Sequence, residues 1–306
     1  MSKKDFDVII IGGGAAGISA ALWCDELELD ALLLESDVEL GGQLLWTYNA
    51  IENYLGVKAE NGQQMRDIFV EQIGERNFTL KLNSKIQEID LENKKIELQN
   101  GEVFQAKFII IATGVKRRKL NIEGEEKFQG KGIIRSGKRD GELVKDKKVA
   151  VIGGGDAAFE NALILSEFAS KVFLIHRNKE FKARSEFIEK VENNPKIEII
   201  KDTIVNKIIG DESVKNIELE NKRKEEVYNL PTDFALFRIG VEPNTEMFRG
   251  KIELDERGYI KVNILCETNF KNIYAIGDVA NPTSPTISTA VGMGATAVKS
   301  ITAKLD

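Results

Sequence analysis

A glycine-rich turn near the start of the chain is the first feature whose residue types could do chemistry. It follows an apolar run, Val8–Ile11, opens a helical run, and has the G-x-G-x-x-G spacing. Its glycines are Gly12, Gly14 and Gly17. A second apolar run, Ala31–Leu34, ends in Glu35, whose carboxylate can accept both ribose hydroxyls of an adenosine. Strand, glycines, helix, strand and acid in this order predict a dinucleotide site, rather than a glycine-rich turn in an unrelated βαβ unit.

The same pattern recurs in the second half of the chain and predicts a second dinucleotide site. An apolar run that begins at Val149 leads into the fingerprint, with alanine in place of the last glycine. The fingerprint positions are Gly153, Gly155 and Ala158. The next apolar run, Lys171–Ile175, ends in His176 and Arg177, where the first site has an acid. A guanidinium binds the 2′-phosphate that a carboxylate would repel, so this site favours NADPH over NADH.

Two further basic residues, Lys182 and Arg184, follow this motif. They could extend the positive charge offered to a 2′-phosphate, and they are equally compatible with an exposed helix face. Two different sites in one chain are explained by a flavin dinucleotide that stays bound and a nicotinamide dinucleotide that exchanges. The reaction implied is hydride transfer from nicotinamide to flavin N5, which depends on orientation more than on acid–base residues.

Three apolar strands that run into glycine indicate how the two sites are joined. They are Phe108–Gly114, Phe234–Gly240 and Asn272–Asp278. The third lies after the second site and must return to the first domain, so the second domain is inserted into the first. We expect an FAD-binding domain of residues 1–115 and 244–306, and an NAD(P)H-binding domain of residues 116–243. The predicted fold class is α/β, with two Rossmann-like dinucleotide-binding domains of the three-layer ββα type.

Hydrophobic periodicity predicts further elements in both domains. Met65–Arg76 has the pattern of an amphipathic helix, and Ile287–Leu305 that of a closing helix. Alternating apolar residues predict a β-meander over Lys81–Leu98 and a second over Lys196–Glu220.

Composition places the chain among ordinary globular proteins. Its 306 residues are 42% hydrophobic and 30% charged, and no apolar run is long enough to cross a bilayer, so we expect a cytoplasmic protein without a membrane segment. A net charge of −6 argues against nucleic-acid binding. The two cysteines, Cys24 and Cys266, are not expected to form a disulfide, and no metal site is expected. Positive charge is concentrated between residues 115 and 148, with twelve Lys/Arg against six Asp/Glu.

Seven short segments, in order along nearly the whole chain, resemble the low-molecular-weight thioredoxin-reductase-like flavoproteins. They are Gly12–Gly17, Gly41–Leu44, Ile51–Asn53, Ala112–Gly114, Gly153–Ala158, His176-Arg177 and Gly277-Asp278. The resemblance implies bound FAD, NADPH or else NADH as the exchanging cofactor, and a homodimer. By this resemblance Gln43 and Asn53 face the isoalloxazine ring, Asp278 binds the ribityl chain, and the backbone of Ile86 contacts adenine.

Motifs and resemblance together give two sets of expected binding residues. Those expected to bind FAD are Gly12, Gly14, Ala15, Ala16, Glu35, Gly42, Gln43, Tyr48, Asn53, Ile86, Ala112, Thr113, Gly114, Gly277, Asp278, Thr286 and Ile287. Those expected to bind NAD(P)H are Gly153, Gly154, Gly155, Asp156, Ala157, Ala158, His176, Arg177, Lys182 and Gly240. No side chain is assigned a catalytic role, because the flavin itself carries the chemistry.

The chain departs from thioredoxin reductases at the redox-active disulfide. Those enzymes carry Cys-x-x-Cys just before an Asp-Gly in the second domain, whereas here Asp140 follows Ser136, Gly137, Lys138 and Arg139. Ser136 and Arg139 replace both cysteines, and neither can form a thiolate, relay two electrons or attack a disulfide. The usual relay to thioredoxin is therefore excluded. Asp140, the proton donor beside the cysteine in that family, is left with a surface or turn role.

Two subfamilies known to lack this cysteine pair offer replacements: the thioredoxin-reductase-like ferredoxin/flavodoxin–NADP reductases and the bacillithiol-disulfide-reductase-like proteins. Glu35, Gln43 and Tyr48 repeat the flavin-side spacing of the first, with Tyr48 placed near the flavin. The sequence ends at Asp306, so we do not expect the C-terminal extension that covers the flavin there. Trp46 or Tyr48 could serve as a cover, or both could be ordinary core aromatics.

The function predicted is FAD-dependent NAD(P)H oxidoreduction in which electrons pass from the flavin directly to an external acceptor, with ferredoxin or flavodoxin favoured. The basic segment 115–148 would steer such acidic carriers, and it is equally compatible with a solvated lysine-rich linker. Two alternatives stay open. One is a low-molecular-weight disulfide reductase or NAD(P)H oxidase (diaphorase), and the other is a non-catalytic flavin- or nucleotide-sensing partner protein.

Overall fold

The computed structural model describes residues 4–305, and the chain divides into two compact units. The first unit comprises Met1–Lys116 and Glu242–Asp306, and the second comprises Arg117–Val241. Residues 1–3 and 306, which belong to the predicted FAD-binding domain, lie outside the described part of the chain. Because the second unit is continuous, it is inserted between two segments of the first.

The helices and strands are numbered in chain order. The segment before the insertion contains β1 (Lys4–Ile11), α1 (Ala15–Glu26), β2 (Ala31–Leu34), α2 (Gly62–Ile73), β3 (Thr79–Lys81), β4 (Ile86–Asp90), β5 (Lys95–Leu98), β6 (Val103–Ile111) and β7 (Val115–Arg117). The inserted segment continues with α3 (Gly137–Asp140), β8 (Lys148–Gly153), α4 (Asp156–Phe168), β9 (Lys171–Ile175), α5 (Ser185–Glu192), β10 (Ile197–Ile200), β11 (Thr203–Gly210), β12 (Val214–Asn221), β13 (Glu226–Pro231) and β14 (Phe234–Arg238). The chain ends with β15 (Val241–Pro243), β16 (Ile273–Ala275) and α6 (Ile287–Leu305).

Short 3₁₀ turns cover Gly42–Trp46, Gly141–Val144, Glu246–Phe248 and Gly277–Val279. Strands β7 and β15, at the two chain crossings, pair with each other as a two-stranded sheet.

The sheet of the first unit is built around β1, whose apolar residues Val8, Ile9 and Ile10 are fully buried. Its strand order is β3-β2-β1-β6-β5-β4, and β16 also pairs with β6. The pairs of β1 with β2 and β6, of β2 with β3, and of β16 with β6 are parallel. Strand β6 is long enough to pair with β5 near its start and with β16 at its end. The predicted return of the third apolar strand to the first domain is therefore confirmed.

The β-meander of this unit is displaced from its predicted position. The prediction of Lys81–Leu98 was wrong in extent, because Lys81 lies in β3, which is parallel to β2. The antiparallel strands are β4, β5 and the first part of β6. Alternation of apolar and polar residues is shared by parallel and antiparallel edge strands, so it does not distinguish them.

The second unit repeats the plan with fewer strands. A parallel sheet has the order β10-β9-β8-β14, and an antiparallel sheet has the order β11-β12-β13. The predicted meander over Lys196–Glu220 was again shifted, because Ile197–Ile200 is a parallel strand beside β9. Asp202, with a φ of 54°, turns the chain between this strand and β11. The antiparallel strands therefore run from Thr203 to Pro231.

The observed start of helix α2 is explained by a capping side chain. Helix α2 begins at Gly62, earlier than predicted, because the Asn61 side chain accepts the N–H of Gln64 at 3.0 Å. It ends at Ile73 rather than at Arg76. The limits of α6 agree with the prediction. Within residues 4–305 the structure contains no helix that combines the length and the hydrophobicity needed to span a bilayer.

Candidate functional site

The first glycine-rich turn packs so tightly that two of its glycines cannot carry a side chain. Gly12 has a φ of 106°, and a Cβ there would lie 2.4 Å from the carbonyl oxygen of Ala112. A Cβ on Gly17 would lie 1.9 Å from the carbonyl oxygen of Gly12. Gly14 differs, because no atom lies within 4 Å of the position that its Cβ would take. This open space lies directly before α1, where free backbone N–H groups favour the negative charge of a pyrophosphate.

Glu35 lies at the end of β2 with its carboxylate held against this turn. The side chain is buried, and its Oε2 accepts the N–H of Gly13 at 2.6 Å. Its Oε1 accepts the N–H of Asp37 at 2.9 Å and the hydroxyl of Ser36 at 3.0 Å. The Ser36 hydroxyl is the donor that a ribose hydroxyl can replace without leaving the carboxylate unpaired. The position and partners of Glu35 therefore fit an adenosine ribose.

The segment before Ile86 runs beside Glu35. The Ser84 N–H donates to the carbonyl oxygen of Glu35 at 2.8 Å, which brings the start of β4 to the end of β2. This is the edge of the sheet at which an adenine attached to that ribose would lie. Ile86 lies two residues beyond this bond, at the start of β4, and its backbone contact with adenine stays a prediction.

Gln43 and Asp278 meet at the other end of this site. The Gln43 amide donates to Asp278 Oδ2 at 2.8 Å, while Asp278 Oδ1 has no partner among residues 4–305. Burial raises the pKa of Asp278, and the hydrogen bond from Gln43 opposes that shift. A half-buried carboxyl group with one open oxygen fits the hydroxyl groups of a ribityl chain.

Glycine also brings the closing helix to this place. A Cβ at Gly277 would lie 2.8 Å from the Cβ of Ala16 and 3.8 Å from that of Ala290 in α6. Thr286 precedes this helix, and its hydroxyl accepts the N–H of Thr289 at 3.2 Å. The starts of α1 and α6, and with them Ala15 and Ile287, therefore lie on the same side of the site.

The turn after β6 is fixed by a residue that the sequence analysis missed. Asn244 donates its side-chain N–H to the carbonyl oxygen of Thr113 at 2.7 Å, and its backbone N–H to that of Gly114 at 3.0 Å. The Thr113 hydroxyl donates in return to the Asn244 carbonyl oxygen at 2.9 Å. The sequence did contain a signal for this role. Asn244 stands between Pro243 and Thr245, shortly after the apolar strand that runs into Gly240.

Most of the predicted FAD residues are thus brought together at the carboxyl edge of the first sheet. Gly42 follows Gly41, whose N–H donates to the carbonyl oxygen of Gly13 at 2.8 Å, so this segment also adjoins the turn. Tyr48 is half-buried farther along the same segment. Asn53 is exposed and makes no hydrogen bond to Gln43 or Asp278. The open space at Gly14 and the open oxygen of Asp278 show that the residues present fit FAD.

The second glycine-rich turn has the same construction. Gly153 has a φ of 154°, and a Cβ there would lie 2.3 Å from the carbonyl oxygen of Arg238. A Cβ on Gly154 would lie 2.2 Å from the His176 ring. No atom lies within 4 Å of the Cβ position of Gly155, which precedes α4. Gly240, with a φ of 95°, follows β14 at the same edge of the sheet.

His176 packs against this turn as a neutral ring. Its Nε2 lies 3.0 Å from the Glu180 carbonyl oxygen, and its ring centroid lies 5.3 Å from that of Phe181. Burial lowers the pKa of His176, and the positive charges of Arg177 and Lys201 lower it further, while the Glu180 carbonyl opposes the shift. His176 therefore helps to position the glycine-rich turn, and the positive charge that binds a 2′-phosphate has to come from neighbouring residues.

The basic residues beyond His176 divide into two groups. Arg184 donates its backbone N–H to Asp156 Oδ1 at 2.8 Å and its Nε–H to Oδ2 at 2.9 Å. These bonds lower the pKa of Asp156, and they pair the positive charge of Arg184 with the Asp156 carboxylate. Arg177 and Lys182 are exposed and form no ion pair within residues 4–305. Lys182 and Arg184 both precede α5, so the interpretation as a helix face was wrong.

The segment at the former dithiol position is a short helical turn held by Asp140. Ser136 is buried, and Lys138 and Arg139 are exposed. Asp140 is 4% exposed, and its Oδ2 accepts the N–H groups of Arg135 and Ser136 at 2.7 and 3.0 Å. The surface role considered for Asp140 was wrong, whereas the turn role is what the structure shows.

Neither cysteine can replace the dithiol. Cys24 and Cys266 are both free and buried in the first unit. Burial raises the pKa of the Cys24 thiol to about 12 and that of Cys266 to about 11. Both thiols are therefore protonated at neutral pH and unsuited to disulfide exchange. Among the described residues no group of His, Cys, Asp and Glu side chains could hold a metal ion.

Two dinucleotide-binding units, one inserted into the other, define a flavin- and nicotinamide-dependent oxidoreductase of α/β architecture. Residues 6–294 match the family model described as pyridine nucleotide-disulphide oxidoreductase, and the chain belongs to that family. Its relatives are thioredoxin-reductase-like, and members of that group use FAD and NADPH.

Three comparisons illustrate this relationship. The "34.2 kDa protein in rubredoxin operon" of Clostridium pasteurianum is 32% identical over 296 residues, 96% of each chain. The thioredoxin reductase of Streptomyces coelicolor is 35% identical over 295 residues, 95% of this chain and 91% of that one. Among solved structures, Lactococcus lactis thioredoxin reductase in the "FR conformation" matches with a TM-score of 0.84, at 32% identity and 97% coverage of both chains.

Proposed function

We propose that this protein oxidises NAD(P)H through FAD and passes the electrons directly from the flavin to an external acceptor, with ferredoxin or flavodoxin favoured. The observation that carries this proposal is the combination of two well-formed dinucleotide turns with the loss of both redox cysteines. Ser136 and Arg139 occupy the cysteine positions, and the two cysteines elsewhere are buried and protonated. Electrons that reach the flavin therefore have no dithiol to pass through.

The first unit is assigned to FAD and the second to NAD(P)H. Bound FAD would supply a two-electron acceptor for the hydride of NAD(P)H and a donor of single electrons. The protein's own residues bind and orient. The turns at Gly14 and Gly155 receive the two pyrophosphates, Glu35 receives a ribose, and Asp278, fixed by Gln43, receives the ribityl chain. No protein acid or base is needed at the reacting atoms.

NADPH is assigned as the preferred nicotinamide cofactor. Arg177 and Lys182 are exposed beyond β9, where the 2′-position of the adenosine is held in this fold, and no acid pairs with them among the described residues. The corresponding residue of the first unit is Glu35, which suits a bare ribose. NADH is the alternative that a measurement of both KM values will decide.

The acceptor is assigned to the acidic one-electron carriers. Many cations of the basic segment 115–148 are exposed, including Lys138, Lys145 and Lys147. Such a surface raises the encounter rate with an acidic protein. Each NAD(P)H yields two electrons and one proton, so two molecules of a one-electron carrier are reduced per turnover. The name of the C. pasteurianum relative adds rubredoxin to the carriers that should be tested.

The acceptor can be identified by anaerobic steady-state assays of NADPH and NADH oxidation. Ferredoxin, flavodoxin, rubredoxin, oxidised thioredoxin, small disulfides and oxygen are compared at equal concentration. We expect one acidic carrier to give the highest kcat/KM and thioredoxin to give none above background. Faster oxidation with a small disulfide or oxygen would instead support the disulfide reductase or oxidase. Slow oxidation with every acceptor would support the sensing protein.

A further inference from the structure

In the first unit, the strand next to β2 ends in a short turn beside Glu35. The Glu35 N–H donates to the Lys81 carbonyl oxygen at 2.9 Å, and the Ser84 N–H donates to the Glu35 carbonyl oxygen at 2.8 Å. Asn83, inside the turn, has a φ of 53°. The turn is therefore hydrogen-bonded at both ends to the residue whose carboxylate fits an adenosine ribose.

The second unit has the same turn beside His176. The His176 N–H donates to the Ile200 carbonyl oxygen at 2.8 Å, and the Thr203 N–H donates to the His176 carbonyl oxygen at 3.0 Å. Asp202 has a φ of 54°, close to that of its counterpart in the first unit. A positive φ is uncommon for residues other than glycine, so this agreement is specific. The two turns therefore correspond residue by residue.

The residue type differs at the second position of this turn. In the first unit that position is Leu82, which is half-buried and packs against the core. In the second unit it is Lys201, which is exposed and forms no ion pair among residues 4–305. The unit with an acid for a bare ribose therefore has an apolar residue here, whereas the unit with Arg177 has a second cation.

An aromatic ring holds the Lys201 ammonium group in place. Its Nζ lies 4.5 Å from the centroid of the Phe181 ring, within the range of a cation–π interaction. The Phe181 ring in turn packs edge-on against Phe159, with 4.8 Å between the centroids. The next residue, Lys182, donates its N–H to the Gly154 carbonyl oxygen at 2.8 Å. The ring that contacts Lys201 is therefore held beside the second glycine-rich turn.

Three cations thus come from three different segments to the carboxyl end of β9. Arg177 follows β9, Lys182 lies in the loop before α5, and Lys201 follows β10. Burial lowers the pKa of His176, and the charges of Arg177 and Lys201 add to this shift, so both cations lie near its ring. A phosphate monoester carries about two negative charges at neutral pH, so more than one cation is needed to neutralise it.

We propose that Lys201 is a specificity-determining residue of the nicotinamide-nucleotide site and binds the 2′-phosphate of NADPH together with Arg177 and Lys182. This inference rests on the proposed function, because it concerns the nucleotide assigned to that site. Lys201 approaches from the strand beside the one that Arg177 follows. Its contact with Phe181 restricts the side chain before the nucleotide arrives, which reduces the entropy lost on binding.

A structural role for Lys201 has to be separated from phosphate binding. If the ammonium group only covered the Phe181 ring, its loss would loosen the segment that leads to Lys182, and every adenine nucleotide would bind more weakly. If it binds the 2′-phosphate, only nucleotides that carry this group lose affinity. Adenosine 2′,5′-bisphosphate and 5′-AMP differ in this group alone, and neither can reduce the flavin.

The test measures the binding of both fragments to the FAD-loaded protein and to three variants. Lys201→Gln removes the charge, Lys201→Arg keeps it, and Lys196→Gln is the matched control. Lys196 is exposed and precedes β10, so it lies at the opposite end of that strand from Lys201. FAD content and thermal unfolding establish that the variants are folded. Calorimetric titration at low and high ionic strength then gives each Kd without turnover.

We expect Lys201→Gln to raise the Kd of the 2′,5′-bisphosphate about fivefold to twentyfold at low ionic strength and that of 5′-AMP by less than about twofold. The rise should shrink at high ionic strength. Lys201→Arg should keep the Kd of the 2′,5′-bisphosphate within about threefold of the unmodified value. Lys196→Gln should change neither Kd by more than about twofold.

Four results would overturn the role of Lys201. They are an unchanged Kd for the 2′,5′-bisphosphate in Lys201→Gln, an equal rise for both fragments, an equal rise in the control, and an equal loss in Lys201→Arg. Failure of the unmodified protein to prefer the 2′,5′-bisphosphate over 5′-AMP would overturn it together with the NADPH assignment. If the preference depends on Lys201 but no acceptor receives electrons, the role of Lys201 stands and the proposed function fails.

Discussion

The Gln43 side-chain amide donates to Asp278 Oδ2 at 2.8 Å, although the two residues are 235 positions apart. Gln43 follows the first glycine-rich turn, and Asp278 lies on the 3₁₀ turn after β16, beyond the inserted unit. The pair therefore forms only when the chain has returned to the first unit. It marks the point at which both segments of that unit complete one site.

Replacement of Asp278 with alanine should weaken FAD binding. The substitution removes the carboxyl group that the ribityl hydroxyls are expected to contact and leaves Gln43 without its partner, so the FAD Kd should rise about tenfold or more. The flavin-to-protein absorbance ratio after extensive dialysis gives this result. Glu75→Gln, a change at an exposed acid of the same unit, should retain full FAD content.

Alanine substitutions at two glycines of the first turn should separate folding from FAD binding. Gly14→Ala places a methyl group in open space, at a φ of −76°, so the apoprotein should lose about 1 kcal/mol or less while FAD binding falls sharply. Gly17→Ala forces a methyl group to 1.9 Å from a carbonyl oxygen and should destabilise the first unit itself. Denaturant unfolding of the apoproteins, with FAD content measured in parallel, distinguishes the two. Equal destabilisation by both changes would contradict the open space at Gly14.

Cofactor choice should depend on Arg177 and Lys182. Arg177→Gln/Lys182→Gln removes both exposed cations, and we expect the KM for NADPH to rise about tenfold to a hundredfold while that for NADH changes little. Lys179→Gln, at an exposed lysine between them, is the charge control. A parallel rise in both KM values would show that the two residues do not recognise the 2′-phosphate.

His176 should make the stability of the second unit sensitive to acid. Because burial lowers the pKa of His176 in the folded state, the unfolded chain binds the proton more strongly. The stabilisation is present above the unfolded value of about 6.5 and is lost as the pH falls below it. The free energy of unfolding should therefore decline more steeply between pH 7 and 5 in the unmodified protein than in His176→Gln. Identical pH profiles would rule out this contribution.

The protein should take up two electrons per FAD and expose no reactive thiol. Burial raises the pKa of Cys24 to about 12 and that of Cys266 to about 11, so neither thiol should react with a disulfide reagent until the chain unfolds. Anaerobic titration with dithionite counts the electrons, and Cys24→Ser/Cys266→Ser should give the same count. Uptake of four electrons per FAD would reveal a redox-active thiol pair.

Much of the fold follows from local sequence patterns. Strand β2 and helix α6 have the predicted limits, because a short run of buried aliphatic residues and a long apolar periodicity each admit one interpretation. The meanders were placed wrongly at both Lys81 and Ile197. Each residue belongs to a short parallel strand that precedes the antiparallel ones, and strand direction is set by distant partners rather than by local alternation.

The site was predictable where one residue has one role and unpredictable where residues act on each other. The spacing of the glycines and of Glu35 predicted a tight turn beside an acid, and the structure holds Glu35 against that turn. The clamp by Asn244 and the capping role of Asp140 depend on backbone groups that only the folded chain brings near. His176 and Arg177 are adjacent in sequence, yet one is a buried neutral support and the other an exposed cation.

The central claim is that electrons pass from the flavin to an external acceptor without a protein dithiol. Anaerobic double-mixing stopped-flow tests it most directly: one equivalent of NADPH first bleaches the flavin absorbance, and a candidate acceptor is then added. We predict fast bleaching, followed by fast recovery of the oxidised flavin spectrum with ferredoxin or flavodoxin and unchanged rates in Cys24→Ser/Cys266→Ser. Absence of bleaching by both NADPH and NADH, or recovery that requires either cysteine, would contradict it.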